Sequence, residues 1–315
     1  MKSDYIWMDG ELVPYDQATV HILNPTMHYG TGVFEGIRCY LTPSGPAVFR
    51  LHDHMARFLD SLQIVGILDY PYSLDQLVHA VHQTIRANGF SQCYIRPLVY
   101  MVGPLGLNLD GWRPATSIAV WEWAPFLGED SAEKGVSLMV SSFTRHHPNV
   151  MMTKAKISGN YANSTLAKTL ATRAGFDEAI MLDPQGYVAE CSGENLFMVR
   201  DGVVYTPGRT TVLEGITRDS IITLVRDLGY PLVEEPISRD QLYIADELFL
   251  CGTAAEVVPV SSVDYRPIGT ALHPRRNGHA SITRQVQEAF HAAASGRGAR
   301  SAEWLDYVDE TVHAV

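Results

Sequence analysis

The stretch Thr153-Lys154-Ala155-Lys156-Ile157-Ser158-Gly159-Asn160-Tyr161 sets a lysine behind a small residue and ahead of a glycine turn that opens an amphipathic helix. The 315-residue chain holds five lysines against nineteen arginines, so a lysine in apolar, glycine-bearing surroundings stands out. A lysine can do what an arginine cannot: partial burial lowers its pKa enough to free the amine for attack on a carbonyl. Taken alone, the window reads first as a surface lysine beside a helix start. The rest of the chain has to decide.

On the C-terminal side, the helix from Asn160 to Ala174 sets Ala162, Leu166 and Leu170 on one face and stops at Gly175. Two hairpins follow, one turning at Pro184-Gln185-Gly186 and the other at Asp201-Gly202. Between them, Glu190-Cys191-Ser192-Gly193-Glu194-Asn195 places two acids around a glycine. Gly215-Ile216-Thr217-Arg218-Asp219 opens a helix with Ile221, Leu224, Val225 and Leu228 inward. The capping box Ser238-Arg239-Asp240-Gln241 starts a short helix. A strand from Glu247 to Leu250 then runs into Cys251-Gly252-Thr253-Ala254-Ala255-Glu256. A last amphipathic helix is expected over about 281–294, with Ala292–Ala302 as a flexible stretch and Trp304-Leu305 as a docking segment.

On the N-terminal side, residues 5–15 read as a hairpin about Asp9-Gly10. His28-Tyr29-Gly30-Thr31-Gly32-Val33-Phe34-Glu35-Gly36-Ile37-Arg38-Cys39-Tyr40 looks like a dinucleotide fingerprint, but its spacing is wrong and a strand follows where a helix is required. It fits instead a loop and strand whose backbone comes close to something bound. Met55, Phe58, Leu59, Leu62 and Val65 mark one helix, with Arg57 at the edge of the stripe; Ser73-Leu74-Asp75-Gln76 caps a second. Strands are expected at Cys93–Val102 and Ser117–Trp123, and the aromatics Tyr94, Trp121, Trp123 and Phe126 read first as core. Leu127–Gly135 is polar, breaks both periodicities and reads as a linker, which divides the chain into domains over 1–126 and 136–315.

Composition excludes several classes. A net charge of −11 and a pI near 5.5 argue against a nucleic-acid groove or an anionic membrane as partner. There is no run of eighteen apolar residues and no signal-peptide pattern after Met1. Cys39, Cys93, Cys191 and Cys251 are scattered without a C-x-x-C pair, which points to a reducing cytoplasm rather than to zinc or a disulfide framework. The chain has no H-E-x-x-H, no Walker lysine and no G-x-S-x-G elbow, and His146-His147 is no chelating pair, so no metal is expected.

What remains suits a phosphorylated, nitrogen-containing ring. The helix start at Gly215-Ile216-Thr217 and the turn Gly252-Thr253 offer N–H groups and hydroxyls to an anion, and Arg57 adds charge-assisted bonds. Glu190 can hold a ring nitrogen protonated, and Lys156 can supply the amine for an imine. Each piece alone is weak; together they match what pyridoxal 5′-phosphate asks of a protein.

Six motifs in order then carry a resemblance over nearly the whole chain. They are His28-Tyr29-Gly30…Val33-Phe34-Glu35-Gly36-Ile37-Arg38, Tyr94-Ile95-Arg96-Pro97, Ala155-Lys156…Gly159-Asn160-Tyr161, Glu190…Gly193-Glu194-Asn195-Leu196-Phe197, Gly215-Ile216-Thr217-Arg218-Asp219 and Gly252-Thr253-Ala254-Ala255-Glu256. The chain resembles the bacterial branched-chain amino acid aminotransferases, class IV enzymes of pyridoxal-phosphate fold type IV. The resemblance implies a two-domain α+β or α/β fold: a small substrate-side domain, and a larger cofactor-binding domain with a pseudo-barrel of strands. It implies Lys156 as the imine-forming and proton-moving residue, Glu190 on the pyridine nitrogen and Tyr161 on the 3′-oxygen. Arg57, Ile216, Thr217 and Thr253 would hold the phosphate. Tyr94 and the turn Thr253-Ala254-Ala255 would take the substrate α-carboxylate. Tyr29, Phe34, Leu107, Trp123 and Phe126 would wall an aliphatic pocket, Arg96 with Tyr29 would take the γ-carboxylate of glutamate, and Arg38 would shape the site.

The implied reaction moves the amino group of L-leucine, L-isoleucine or L-valine to 2-oxoglutarate by a ping-pong route. The implied partners are amino acids and 2-oxo acids, and a second subunit whose Tyr29 and Leu105-Gly106-Leu107 loop complete the site. A dimer is then the minimal unit, and hexamers of three dimers are common among the bacterial forms. Cys191, Ser192, Ile157-Ser158 and the region His273–Ala280 depart from the usual pattern. These departures bear on substrate breadth, leaving a D-amino acid or (R)-amine transaminase on the same scaffold as the alternative. A third reading, a non-catalytic protein that keeps the fold, conflicts with the intact Lys156, Tyr161 and Glu190.

Overall fold

The computed structural model describes residues 3–123, 127–128, 130–269 and 281–309. The chain forms two compact units, Met1–Trp123 with Ala155–Asn160 and Ala292–Val315, and Ala124–Lys154 with Tyr161–His291.

The first unit is built on an antiparallel sheet in the order Leu305–Tyr307, Gly45–Phe49, Ile37–Thr42, Cys93–Val102, Arg113–Trp121, Tyr5–Met8, Glu11–Pro14, with Val33–Phe34 paired to the central strand. Alternation decides which face is covered. Val33, Ile37, Cys39, Ile95, Val99, Ile118 and Val120 join a core with Leu51, Met55, Phe58 and Leu62 of the helix Leu51–Val65 and Leu77, Val81 and Ile85 of the helix Leu74–Asn88. The second helix carries the expected capping box: Gln76 N–H donates to Ser73 Oγ (3.3 Å), and Ser73 N–H to Gln76 Oε1 (2.8 Å). The register pairs Arg38 with Tyr94, Tyr94 with Trp121, and Phe34 with Leu98. Phe34, Arg38, Tyr94, Arg96 and Trp121 therefore share the face that the helices do not cover.

Two segments join this unit from far along the chain. The strand Leu305–Tyr307 adds to the edge strand Gly45–Phe49, and Trp304 is buried against Phe49 with ring centroids 5.6 Å apart. Ala292–Ala302 is not a loose stretch: Ala293, Ala294 and Ser301 are buried, and Ser301 Oγ donates to Ala293 O at 2.9 Å. The lysine-bearing segment 155–160 also belongs here, through backbone pairing described below. The units are thus assembled from separated segments where contiguous spans were expected.

The second unit carries a mixed sheet in the order Val188–Cys191, Glu178–Leu182, Val136–Val140, Glu256–Val263, Glu247–Gly252, Asn195–Arg200, Val203–Thr206, Leu232–Glu234, with Arg266–Pro267 at the side of Glu256–Val263. Its central strands are buried almost throughout, as sheets covered on both faces require. The stretch expected as a linker holds a one-turn helix, Ser131–Lys134, within this unit. The helix Tyr161–Arg173 reverses one expectation: Ser164, Ala167 and Ala171 face inward, while Leu166 and Leu170 are exposed. Ala167 and Ala171 pack on Phe176, Ala179 and Met181, a close approach that only small side chains permit.

Candidate active site

In the first unit, backbone contacts hold the lysine. Gly159 N–H donates to Gly30 O (2.9 Å), Ser158 N–H to Gly32 O (2.7 Å) and Phe34 N–H to Lys156 O (3.1 Å), and Val33 bridges Ile157. Glycine is required for this approach. A Cβ on Gly30, whose φ is +70°, would lie 2.9 Å from the Gly159 Cα. Lys156 N–H donates to the buried Ser61 Oγ (3.1 Å), and the ammonium lies 4.8 Å from the centroid of the Phe34 ring. Both neighbouring lysines are committed elsewhere in the second unit: Lys154 to Val212 O (3.1 Å) and Glu214 (3.2 Å), Lys168 to Glu178 (2.6 Å).

Arg57 projects from the helix Leu51–Val65 and is fixed by a carboxylate that carried no assigned role, Glu35. Glu35 is fully buried; Arg57 donates to it through Nε (2.7 Å) and Nη2 (2.8 Å), and His54 Nδ1 lies 2.8 Å away. Burial alone would raise the Glu35 carboxyl, but Arg57 and His54 outweigh it and hold the group far below the usual carboxylate range. Burial lowers His54, with Arg57 and Lys156 adding to the effect, so it serves as a neutral imidazole donating Nδ1–H to Glu35. The signal was there in part: His54 and Arg57 stand three apart on one helix face, and Glu35 sits inside the glycine-rich motif.

The uncovered face of the sheet bears the residues expected at the substrate. The Arg96 guanidinium lies 4.8 Å from the Phe34 ring centroid, 5.4 Å from Tyr94 and 5.8 Å from Trp121. Tyr94 packs edge-on against Trp123 at 4.4 Å, and its hydroxyl lies where a Cβ on Gly36 would be, 2.1 Å away. Arg38 reaches over Tyr40 at 6.0 Å. Tyr29 stacks on Trp112 at 6.1 Å and is 38% exposed, and Leu107 is 89% exposed, so neither is enclosed within its own chain. Phe126 lies outside the described residues.

In the second unit, a register shift between Val188 and Glu190 re-aims the Glu190 side chain. Three donors converge on it: Arg145 Nη2 (2.7 Å) on one oxygen, Asn195 Nδ2 (3.1 Å) and Leu213 N–H (3.2 Å) on the other. Arg145 is buried and had no signal in the sequence, since a loop arginine has no pattern to belong to. The second acid of this motif behaves differently. Burial, reinforced by Glu178, pushes the Glu194 carboxyl up to about 8. Two acids four residues apart thus sit in different surroundings, Glu190 against a buried arginine and Glu194 beside another buried carboxylate.

The helix Ile216–Asp227 begins at Gly215, which supplies no side chain to the first-turn N–H groups, leaving them for an anion from outside the helix. No larger residue fits there, because a Cβ would meet Asn195 Oδ1 at 2.1 Å. Ile216 and Thr217 are buried, and Thr253, Ala254 and Ala255 form the half-buried turn between the strands Glu247–Gly252 and Glu256–Val263. Tyr161, half-buried, is the first residue of its helix. In the second unit, an acid held by three donors suits a ring nitrogen and an uncapped helix start suits a phosphate; in the first unit, an arginine fixed by a buried carboxylate suits an anion. Among the described residues, no group of three or more His, Cys, Asp or Glu side chains could hold a metal ion, and no helix is long and apolar enough to cross a membrane.

Comparison with known proteins gives a consistent answer. Residues 32–263 match the family model of amino-transferase class IV. A branched-chain-amino-acid aminotransferase of Pseudomonas aeruginosa is 48% identical over 308 residues, 98% of either chain. One of Escherichia coli (strain K12) is 44% identical over 313 residues, covering 98% of this chain and 99% of the relative. Among solved structures, the T.th. branched-chain amino acid aminotransferase with pyridoxamine 5′-phosphate superposes with a TM-score of 0.91 at 46% identity, covering 98% of this chain and 100% of that one. The same enzyme complexed with N-(5′-phosphopyridoxyl)-L-glutamate gives a TM-score of 0.91 at 45% identity, with the same coverage.

Proposed function

This chain belongs to the class IV aminotransferases, and from that premise we propose that it is a pyridoxal-phosphate-dependent branched-chain amino acid transaminase with 2-oxoglutarate as amino acceptor. The observation that carries the reading is the placement of two cations, Lys156 and Arg96, against one ring, Phe34. An amine able to act at an amino acid Cα and a guanidinium able to receive a carboxylate are thereby held at a fixed separation, with an apolar surface between them.

Pyridoxal phosphate, when bound, supplies the carbonyl that accepts the amino group and a ring that takes up the electron pair freed at Cα. The chain does the rest. Lys156 removes the Cα proton and returns a proton in the second half-reaction. Glu190, kept anionic by Arg145 and Asn195, holds a proton on the ring nitrogen, and Tyr161 donates to the 3′-oxygen. Arg57, the N–H groups of Ile216 and Thr217, and Thr253 bind the phosphate. Tyr94 and the turn Thr253-Ala254-Ala255 orient the α-carboxylate. Phe34, Trp123, Tyr29 and Leu107 line the side-chain pocket with Arg38 at its edge, and Arg96 takes the γ-carboxylate of glutamate. The amino acid leaves as its 2-oxo acid before 2-oxoglutarate enters, a ping-pong sequence. Four buried, unpaired cysteines suit a reducing cytoplasm.

Purified protein supplied with pyridoxal phosphate is expected to transfer the amino group of L-leucine to 2-oxoglutarate. Turnover of D-alanine in place of L-leucine overturns the specificity, and absence of any visible cofactor band overturns the enzyme. The exposed Ile22, Leu23, Met27, Tyr29 and Leu107 support a second copy of the chain as their cover. Sedimentation equilibrium is expected to give a dimer or a trimer of dimers at micromolar concentration; a monomer removes the partner from the site.

A further inference from the structure

Arg96 poses a problem of charge. Among the described residues no carboxylate lies within ion-pair distance of it, and its Nε is buried without a hydrogen-bond partner. Its neighbours are rings instead: Phe34, Tyr94 and Trp121, all within 6 Å of the guanidinium carbon. The sheet register makes this arrangement deliberate. Tyr94 stands opposite Trp121 and Arg96 opposite Ala119, so Trp121 is the diagonal neighbour of Arg96 on the same face, and the small Ala119 leaves room for the indole to lean across. Trp121 also packs on Tyr94 (5.3 Å) and Trp123 (5.6 Å), which fixes its own ring.

We propose that Trp121 is a specificity-determining positioning residue, completing an aromatic cage that lets Arg96 serve aliphatic and dicarboxylate substrates in turn. The inference rests on the transaminase reading given above. Ring faces offset a cation's charge without occupying its N–H donors. A resident carboxylate would do the opposite, competing with the substrate for the guanidinium fork and adding a charge to a pocket that must also accept an isobutyl group. With a cage, Arg96 rests on the rings while an aliphatic side chain is bound, and turns its unspent donors to a γ-carboxylate when glutamate or 2-oxoglutarate arrives. Trp121 gives this cage the largest ring of the three and touches the guanidinium rather than the substrate.

The test compares the holoenzyme's affinity for two unreactive ligands, glutarate and 4-methylvalerate, by titration calorimetry, alongside KM for 2-oxoglutarate and for 4-methyl-2-oxopentanoate. Trp121→Leu is expected to weaken glutarate and raise the 2-oxoglutarate KM by about tenfold, with 4-methylvalerate and its oxo acid changed by less than about twofold. Trp121→Phe, which keeps a ring, should recover most of the loss. Equal weakening of both ligands, or no change in either, overturns the cage. A wild-type protein that binds 4-methylvalerate but neither binds glutarate nor turns over 2-oxoglutarate sinks the dicarboxylate part of the proposed function, and the cage with it.

Discussion

Replacement of Lys156 by alanine is expected to lower amino-group transfer from L-leucine by roughly five orders of magnitude, about 7 kcal/mol of transition-state stabilisation, while leaving the fold intact. The two halves of this expectation rest on different atoms. The fold uses the backbone of Lys156: its N–H donates to Ser61, its carbonyl accepts from Phe34, and its neighbours pair with Gly30 and Gly32. The proposed chemistry uses the side-chain amine, half-buried over the Phe34 ring. The variant should therefore melt within about 3 °C of the wild type, since the backbone bonds of the segment are all kept. Lys154→Ala is the control. It removes the ion pair with Glu214, whose contribution is about 1 kcal/mol or less, together with a bond to the Val212 carbonyl, and should leave turnover within about fivefold. Borohydride reduction of the holoenzyme followed by peptide mapping should label Lys156; a label on Lys154 or Lys168 moves the amine and overturns the assignment.

Much of the first unit was legible because its elements announce themselves locally. The hairpin about Asp9-Gly10, the capping box at Ser73, and the strand Cys93–Val102 each follow from residues within a few positions of one another. The alternation Tyr94-Ile95-Arg96 sets Ile95 toward the helices and Tyr94 and Arg96 on the opposite face, although Tyr94 alone reads as core. What was not legible depends on distant chain. The lysine segment joins the first unit because Gly159 can touch Gly30, and no periodicity encodes a contact between segments so far apart. The same holds for Leu305–Tyr307, whose partner strand lies near the N-terminus. Leu166 and Leu170 mislead for another reason: on a tightly packed helix the small residues mark the inward face, so hydrophobicity alone selects the wrong side. Among the candidate site residues, Lys156 and the helix start at Gly215 carry recognisable chemistry. Arg145, Glu35 and Trp121 declare their surroundings only once the sheet register and the loops are known.

Glu35→Ala is expected to destabilise the protein by about 3–5 kcal/mol, a large loss for one surface-invisible side chain. Glu35 is fully buried and accepts from Arg57 twice and from His54 once; deleting it takes two charge-assisted bonds from the mostly buried Arg57 guanidinium and the carboxylate partner from the buried His54 imidazole. The damage should extend to function, because Arg57 then has no fixed position from which to bind phosphate, and affinity for pyridoxal phosphate should fall at least about tenfold. The pH dependence gives a second check. Glu35 has a folded pKa below its unfolded value near 4.5, so its stabilisation is complete above that pH and is lost only as pH falls through the folded value. His54 also has a lowered folded pKa, so the unfolded chain takes up its proton first. Its contribution is complete above about pH 6.5 and declines as pH falls below that toward the folded value. His54 should therefore take stability away as pH falls below about 6.5, while Glu194, raised to about 8, adds stability as pH falls through that value. The wild-type profile carries both slopes, and the difference between wild type and His54→Gln should show the downward slope of His54 alone. A double replacement, Glu35→Leu with Arg57→Met, separates the two consequences: removing both charges together should restore most of the stability, while the cofactor affinity stays low. Chemical denaturation that places Glu35→Ala within about 1 kcal/mol of wild type would show that water or a rearranged Arg57 relieves the buried charge, and that the position of Arg57 is set by the bound phosphate rather than by Glu35.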